Sequence, residues 1–180
     1  MSVHRLAATM AVLTAMFPVQ AEVIEAGPDG FLVRNEAVIA ATPDKIYATL
    51  TRSVGRWWDS EHTYSGDARN MRIDLRPGGC FCEKIPGKGA IEHARVIYAS
   101  KNEVLRLSGA LGPLQESGLA GTLTWTLKAE GGNTTVTQNY SVGGFWPGGL
   151  KDVAALVGGV LEGQLQRLKR YVETGNPASE

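Results

Sequence analysis

The 180-residue chain has few cysteines and histidines and no net charge. Its 18 basic side chains are matched by 18 acidic ones, with no basic run or acidic tail. No overall electrostatic field therefore attracts nucleic acid or an anionic membrane. Two cysteines without a second pair or nearby histidines also disfavour a zinc site. We expect no metal, no cofactor and no nucleic-acid partner.

The chain also lacks the short motifs of several enzyme classes. It contains no nucleophile elbow, no His-Glu-x-x-His, no phosphate-binding loop and no dinucleotide-binding glycine motif after a strand. Its glycine clusters fall in turns between predicted strands, where they serve backbone geometry. No motif therefore assigns a catalytic activity, and a binding function is favoured over an enzymatic one.

The N-terminus has the pattern of a secretory signal peptide. Arg5 precedes an uncharged apolar stretch over residues 6–17, and Val19 and Ala21 are small residues suited to a cleavage site. The apolar stretch is shorter than the about 20 residues that a membrane-spanning helix needs. We predict that residues 1–21 are removed, that the mature protein is periplasmic or secreted, and that it keeps no membrane span. An uncleaved anchor or a buried N-terminal helix is the alternative.

Cys80 and Cys82 lie two positions apart on a predicted strand, so their side chains point to the same face. In an extended strand their Cα atoms would be about 6.5–7 Å apart, which is at the limit of disulfide geometry. We interpret them as small, partly buried apolar residues. A local disulfide is the alternative.

Hydrophobic periodicity predicts one continuous α+β domain over residues 22–180. A first strand covers residues 31–41. A helix follows, since Thr42 can cap its N-terminus and Pro43 occupies the first helical position. A second short helix or turn is predicted over residues 54–60.

Six further strands are separated by short turns, which implies antiparallel neighbours because parallel strands need long crossovers. They are predicted over residues 71–75, 80–85, 90–100, 104–111, 121–129 and 134–142. Apolar residues then recur at three- and four-residue steps from Leu150 to Val172, followed by Gly175. A curved antiparallel sheet of about seven strands wrapped around this long C-terminal helix buries both apolar surfaces.

Three short segments carry a family resemblance: Ala-Thr-Pro-Asp-Lys-Ile-Tyr at 41–47, Trp57-Trp58, and Arg-Pro-Gly-Gly-Cys-Phe at 76–81. With the order of elements, they resemble the START-like (SRPBCC) superfamily and its helix-grip fold over roughly residues 33–172. Within it the chain is most similar to the branch of the activator of the heat-shock-protein-90 ATPase, with polyketide cyclases as further relatives. The resemblance implies a deep cavity between sheet and C-terminal helix, which commonly holds lipids, sterols or polyketides. Chaperone activation requires the cytosol and is not expected of an exported protein.

The expected function is that of an exported binding protein for a hydrophobic small molecule, lipid-like or polyketide-like, held in that cavity. A cyclase- or dehydratase-like enzyme using the same cavity is one alternative, and a protein-interaction module is another. The expected ligand-binding residues are aromatic or lie near the cavity mouth: Trp57, Trp58, His62, Trp125, Tyr140, Phe145 and Trp146.

For the enzymatic alternative, the candidate catalytic residues are His93, Glu83 and Arg95. A single histidine in the cavity can act as a general base with a carboxylate partner such as Glu83. Periodicity does not decide whether the strand face with His93 or the face with Ala94 points inward. The alternative for His93 is a hydrogen-bonded strand histidine without catalytic duty.

Overall fold

The computed structural model describes residues 21–178 of the chain. The predicted signal peptide, residues 1–21, lies outside this part except for its last residue, and its cleavage stays a prediction. Within residues 21–178, eight antiparallel strands form one sheet around a long C-terminal helix. This arrangement confirms the predicted α+β helix-grip architecture.

The strands lie in the order β1-β2-β8-β7-β6-β5-β4-β3. Strand β2 therefore pairs with β8, and β1 and β3 are the two edge strands. The strands are β1 (Glu22–Ala26), β2 (Gly30–Ile39), β3 (Met71–Ile73), β4 (Cys80–Ile85), β5 (Gly89–Ser100), β6 (Val104–Ser108), β7 (Leu119–Glu130) and β8 (Asn133–Gly144). The helices are α1 (Pro43–Arg52), α2 (Val54–Trp57) and α3 (Val153–Thr174). Short 3₁₀ segments occur at Ser60–His62, Ala68–Asn70 and Gly112–Glu116.

The sheet has one strand more than predicted because of β1, at the start of the described chain. Its side chains are mostly exposed, so it shows no alternation of apolar and polar positions for periodicity to detect. Its pairing with β2 is also irregular between Val23 and Glu25. The sequence of β1 therefore has no hydrophobic pattern that would predict a strand.

The predicted start of α1 is confirmed in its details. The side chain of Thr42 accepts a hydrogen bond from the backbone N–H of Lys45 at 3.5 Å, and Pro43 is the first helical residue. Ile46 and Leu50 point into the core. These two residues anchor α1 to the core. Helix α2 follows directly and places Trp57 against Trp125 of the sheet.

Helix α3 lies mainly against β2 and β1 and also contacts α1 and α2. The helix passes close to β2 at Gly158, where an added Cβ would lie 3.3 Å from Ala21 Cβ and 3.4 Å from Val33 Cγ1. The helix ends at Gly175, whose left-handed backbone (φ 81°) lets its N–H bond to the carbonyl of Tyr171. None of the helices within residues 21–178 combines the length and apolar character needed to cross a bilayer. On the inner face of the sheet, α1 contacts β7, Trp57 of α2 packs against Trp125 of β7, and Trp58 packs against Phe81 of β4.

Cys80 and Cys82 form a disulfide, so the interpretation of two unbridged apolar residues was wrong. Their Cα atoms lie 5.3 Å apart, closer than in a regular strand and within the range of disulfides. The shortening coincides with a shift in the pairing of β4 with β5 between Phe81 and Cys82. The estimate from sequence assumed regular strand geometry, which this part of β4 does not have.

Candidate functional site

Glu83 on β4 and His93 on β5 form a buried hydrogen-bonded pair. The Nε2 atom of His93 lies 3.1 Å from Glu83 Oε2, and the two residues are 6% and 0% exposed. Arg95, the third candidate, is not part of this pair, because its exposed side chain forms a 2.9 Å ion pair with Glu92. The structure thus brings together two of the three residues proposed for the enzymatic alternative.

A bulge in β5 explains why periodicity did not decide which face points inward. Phe81 pairs with Ala94, whereas the next residue of β4, Cys82, pairs with Glu92, so that His93 is the extra residue. His93 and its neighbour Ala94 are consequently both buried. Neither of the two alternating faces points inward over the whole strand.

Glu83 also fixes the loop that precedes β3. Its carboxylate accepts hydrogen bonds from the backbone N–H groups of Tyr64, at 3.0 Å, and of Ser65. Burial alone raises the pKa of Glu83, but the hydrogen bonds from Ser65, Tyr64 and His93 outweigh burial and lower the pKa below its ordinary value. The carboxylate is therefore ionised at neutral pH, and three hydrogen bonds hold it.

His93 is neutral at the same pH. Burial lowers the pKa of its imidazole, and the neighbouring Glu83 offsets only part of this effect. Because the ionised carboxylate needs a donor, Nε2 carries the proton. The Nδ1 atom then has a free lone pair, and it makes no hydrogen bond to the described residues. This atom is the one in the pair that a bound molecule can address.

These pKa shifts predict that acid destabilises the fold in two stages. The pKa of His93 is lower in the folded than in the unfolded chain, so the unfolded chain binds the proton first, and stability falls as the pH drops below about 6.5. Glu83, whose folded pKa is also lowered, adds a second loss below about pH 4.5. Urea unfolding at pH 7.5, 6.0 and 5.0 measures the first stage. The variant His93→Gln should reduce the slope of the unfolding free energy against pH between pH 7 and 5. An unchanged slope would contradict the assignment of the first stage to His93.

Aromatic rings surround the pair and continue from it into the core. The ring centre of His93 lies 5.1 Å from that of Phe81, which is 5.3 Å from that of Trp58. Trp57 continues the series, 5.5 Å from Trp58 and 6.1 Å from Trp125. We call the following residues the aromatic cluster: Tyr64, Phe81, His93, Trp58, Trp57 and Trp125. The cluster lines the inner face of the sheet with apolar surface next to one polar pair.

Two loops meet beside His93. We call residues 58–70 the first loop and residues 109–118 the second loop. The ring centre of Tyr64 in the first loop lies 5.9 Å from that of His93, and the Tyr64 hydroxyl donates to the carbonyl of Gly112 in the second loop at 3.2 Å. Tyr140 fixes the second loop, since its hydroxyl donates to the carbonyl of Gly109 and accepts from the N–H of Leu111. The hydrogen bond from Tyr64 to Gly112 thus joins the two loops beside His93.

The residues predicted to bind ligand occupy different environments. Trp57, Trp58, Trp125 and Tyr140 are buried in the core. His62 is exposed on the first loop, Phe145 is 75% exposed, and Trp146 is partly buried in the connection between β8 and α3. Their roles in ligand binding stay predictions.

Sequence reasoning did not find Tyr64 or its contact with Glu83. Tyr64 lies in an irregular loop, 19 positions from Glu83, and no local pattern joins the two. A polar pair next to α3 was also not predicted: the side-chain amides of Asn35 and Gln138 lie 2.8 Å apart, and Asn35 contacts the carbonyl of Gly158 on the helix. Within residues 21–178, no group of three His, Cys, Asp or Glu side chains is placed to bind a metal ion.

A curved antiparallel sheet around a long C-terminal helix is the helix-grip fold of SRPBCC-type proteins. Residues 31–173 match the model of the family described as polyketide cyclase / dehydrase and lipid transport. The chain therefore belongs to this family. A comparison with curated proteins gave no match.

Several solved structures share the fold. One is a conserved protein of unknown function from Enterococcus faecalis, with a TM-score of 0.60 and 19% identity over 88% of this chain and 80% of that chain. CalU16 from Micromonospora echinospora has a TM-score of 0.55 and 16% identity, covering 87% and 85%. The Aha1 dimer from Colwellia psychrerythraea has a TM-score of 0.54 and 20% identity, covering 80% and 97%. At these identities the likeness concerns the fold alone.

Proposed function

We propose that the mature protein is an exported binding protein for a hydrophobic small molecule, lipid-like or polyketide-like, held between the sheet and α3. The observation that carries the proposal is the buried Glu83–His93 pair at the edge of the aromatic cluster. Binding sites for such ligands combine apolar walls with a few polar groups that orient the molecule. The family description, which names lipid transport, supports the same class of ligand.

The ligand enters between the two loops in this proposal. The hydrogen bond from the Tyr64 hydroxyl to the Gly112 carbonyl spans them and lies at a partly exposed position, since Tyr64 is 45% exposed. Separation of the loops at this point uncovers the His93 ring. A hydroxyl group of the ligand then donates to Nδ1 of His93, and its apolar part lies along the aromatic cluster.

A cyclase- or dehydratase-like activity is the second candidate, favoured by the state of the same pair. A neutral imidazole with a free Nδ1 can accept a proton from a substrate, and the ionised Glu83 at Nε2 stabilises the imidazolium that results. The family description also names cyclases and dehydrases. In this case His93 is the general base and Glu83 orients it.

Native mass spectrometry of the protein purified from the periplasm of a Gram-negative host tests the first candidate. We expect a mature chain beginning at Glu22, together with a hydrophobic molecule that is released on unfolding and identified after organic extraction. A chain that keeps residues 1–21 in the cytosol would contradict export. A mature chain that carries no such molecule, and takes up none from added lipid extract, would contradict the binding function.

The variant His93→Ala separates the two candidates. A binding protein loses one hydrogen bond to its ligand, which lowers affinity by about threefold to tenfold. An enzyme loses about 10²- to 10⁴-fold in turnover while still binding its substrate. Ile97→Ala, a change at an exposed residue of the same strand that is assigned to no site, is the control.

A further inference from the structure

A concave site away from the aromatic cluster lies between α1 and the turn that joins β5 to β6. It is a cleft of about 500 Å³, within the size range of sites for small ligands. Its walls share no residue with the aromatic cluster or with the two loops described above. The cleft is therefore a separate site, and its function does not depend on the proposed function of the interior.

One wall of the cleft is a row of side chains along α1. Asp44, Ala48 and Arg52 line the cleft at intervals of four residues, which places them on one side of the helix. The acid and the base at the two ends are about 12 Å apart along the helix axis. Ala48 between them is small and leaves room above the helix. The row thus has an acidic end, a short apolar middle and a basic end.

The negative charge of Asp44, at the acidic end of the row, is balanced by residues of the opposite wall. Lys101 Nζ lies 3.5 Å from Asp44 Oδ1, and the side-chain amide of Asn102 donates to the same oxygen at 3.4 Å. Arg52, at the other end, forms no ion pair with any residue in the described part of the chain. The cleft therefore has one unmatched positive charge, which suits a single negative group on a ligand.

Two polar atoms of the cleft also lack a protein partner. Tyr47 lines the cleft, and its hydroxyl, which is accessible to solvent, makes no hydrogen bond to residues 21–178. The Oδ1 atom of Asn102 is buried without a hydrogen-bond partner among these residues. Buried polar groups are normally paired, because an unpaired one loses its interaction with water. Asn102 lies at the end of the cleft where Asp44 is neutralised, since its side-chain amide contacts Asp44.

We propose that this cleft binds a small hydroxy acid whose carboxylate and hydroxyl are separated by a short apolar chain. The carboxylate pairs with the guanidinium of Arg52, which matches its planar shape. The apolar chain lies against Ala48, Leu75 and Ala99. The hydroxyl at the other end completes the hydrogen bonding of the Tyr47 hydroxyl and of Asn102 Oδ1.

Three probes of equal chain length test the proposal on the purified protein: 8-hydroxyoctanoate, octanoate and 1,8-octanediol. We expect 8-hydroxyoctanoate to shift the backbone amide signals of Ala48, Ala99 and Asn102 in a ¹H–¹⁵N NMR titration. Octanediol lacks the carboxylate and should bind at least about tenfold more weakly than 8-hydroxyoctanoate. Octanoate lacks the hydroxyl and should bind about threefold to tenfold more weakly.

Two variants assign the contacts. Arg52→Gln should weaken the hydroxy acid about tenfold and remove its advantage over the diol. Tyr47→Phe keeps the ring but should reduce the difference between 8-hydroxyoctanoate and octanoate. Arg56→Gln, at an exposed arginine outside the cleft, is the control of equal charge and should leave all three affinities unchanged.

Three results would overturn the proposal. The first is no shift of the cleft amides at millimolar hydroxy acid. The second is a set of shifts confined to the aromatic cluster and the two loops, which would place the probe in the interior site. The third is an equal loss of affinity in Arg52→Gln and Arg56→Gln, which would reduce the effect to overall charge.

Discussion

Replacing Glu83 with alanine is expected to destabilise the fold by about 3–5 kcal/mol. Its carboxylate accepts hydrogen bonds from the N–H groups of Tyr64 and Ser65 and from His93, in a site where Glu83 is 0% exposed. Alanine leaves all three donors without a partner, and each buried unpaired donor costs about 1–3 kcal/mol. The loss is measured as the free energy of unfolding in urea at pH 7.5.

Glu92→Ala is the matched control for this experiment. Glu92 lies on the neighbouring strand, and its exposed side chain pairs with Arg95, so its removal should change stability by less than about 1 kcal/mol. Glu83→Gln keeps one acceptor oxygen and should fall between the two. Hydrogen exchange should show faster exchange of the Tyr64 and Ser65 amides in Glu83→Ala. A loss below about 1 kcal/mol, with both amides still protected, would contradict the anchoring role of Glu83.

This result also bears on the two candidate functions. If Glu83 mainly anchors the first loop, Glu83→Gln should keep ligand affinity once folded, because the loop still has an acceptor. If Glu83 supports His93 as a general base, Glu83→Gln should lower turnover even when the loop stays in place. The same variant therefore separates the positioning of a loop from the support of a reaction.

The parts of the fold that sequence predicted are those with local or periodic signals. The start of α1 depends on Thr42 and Pro43, which act within one turn of helix. Helix α3 repeats its apolar side for 22 residues, long enough for the period to be unmistakable. Strands β4 to β8 are separated by turns rich in glycine or asparagine. Each of these elements is predicted by capping residues, apolar periodicity or turn residues within its own stretch of sequence.

The candidate site was predicted only in part, because its contacts are long-range or irregular. Glu83 and His93 were named, but their pairing depends on the bulge that turns His93 inward. Tyr64 reaches Glu83 through a backbone N–H, which no residue type reveals. The disulfide between Cys80 and Cys82 required a Cα separation that a regular strand does not have. In each case the information lies in how two segments meet, and a periodic pattern does not contain it.

Replacing Trp57 with alanine is expected to cost about 3–5 kcal/mol, because it removes a large, fully buried side chain of the aromatic cluster. Trp57 is 1% exposed, packs against Trp58 and Trp125, and donates its indole N–H to the carbonyl of Thr49 at 3.1 Å. The surrounding rings are held by their own contacts and should collapse only partly into the space. Urea unfolding measures the loss, and Phe145→Ala, at a 75% exposed ring, should change stability by less than about 0.5 kcal/mol.

The cavity left by Trp57→Ala also tests whether the interior accepts an apolar molecule. Indole fills the space of the missing side chain, so indole at about 100 times its dissociation constant should restore about 2.7 kcal/mol. The unaltered protein, whose Trp57 occupies this space, should gain much less. Trp57→Leu leaves a smaller cavity and serves if the alanine variant does not fold. Equal stabilisation of variant and unaltered protein would show that indole binds elsewhere and not in the space left by Trp57.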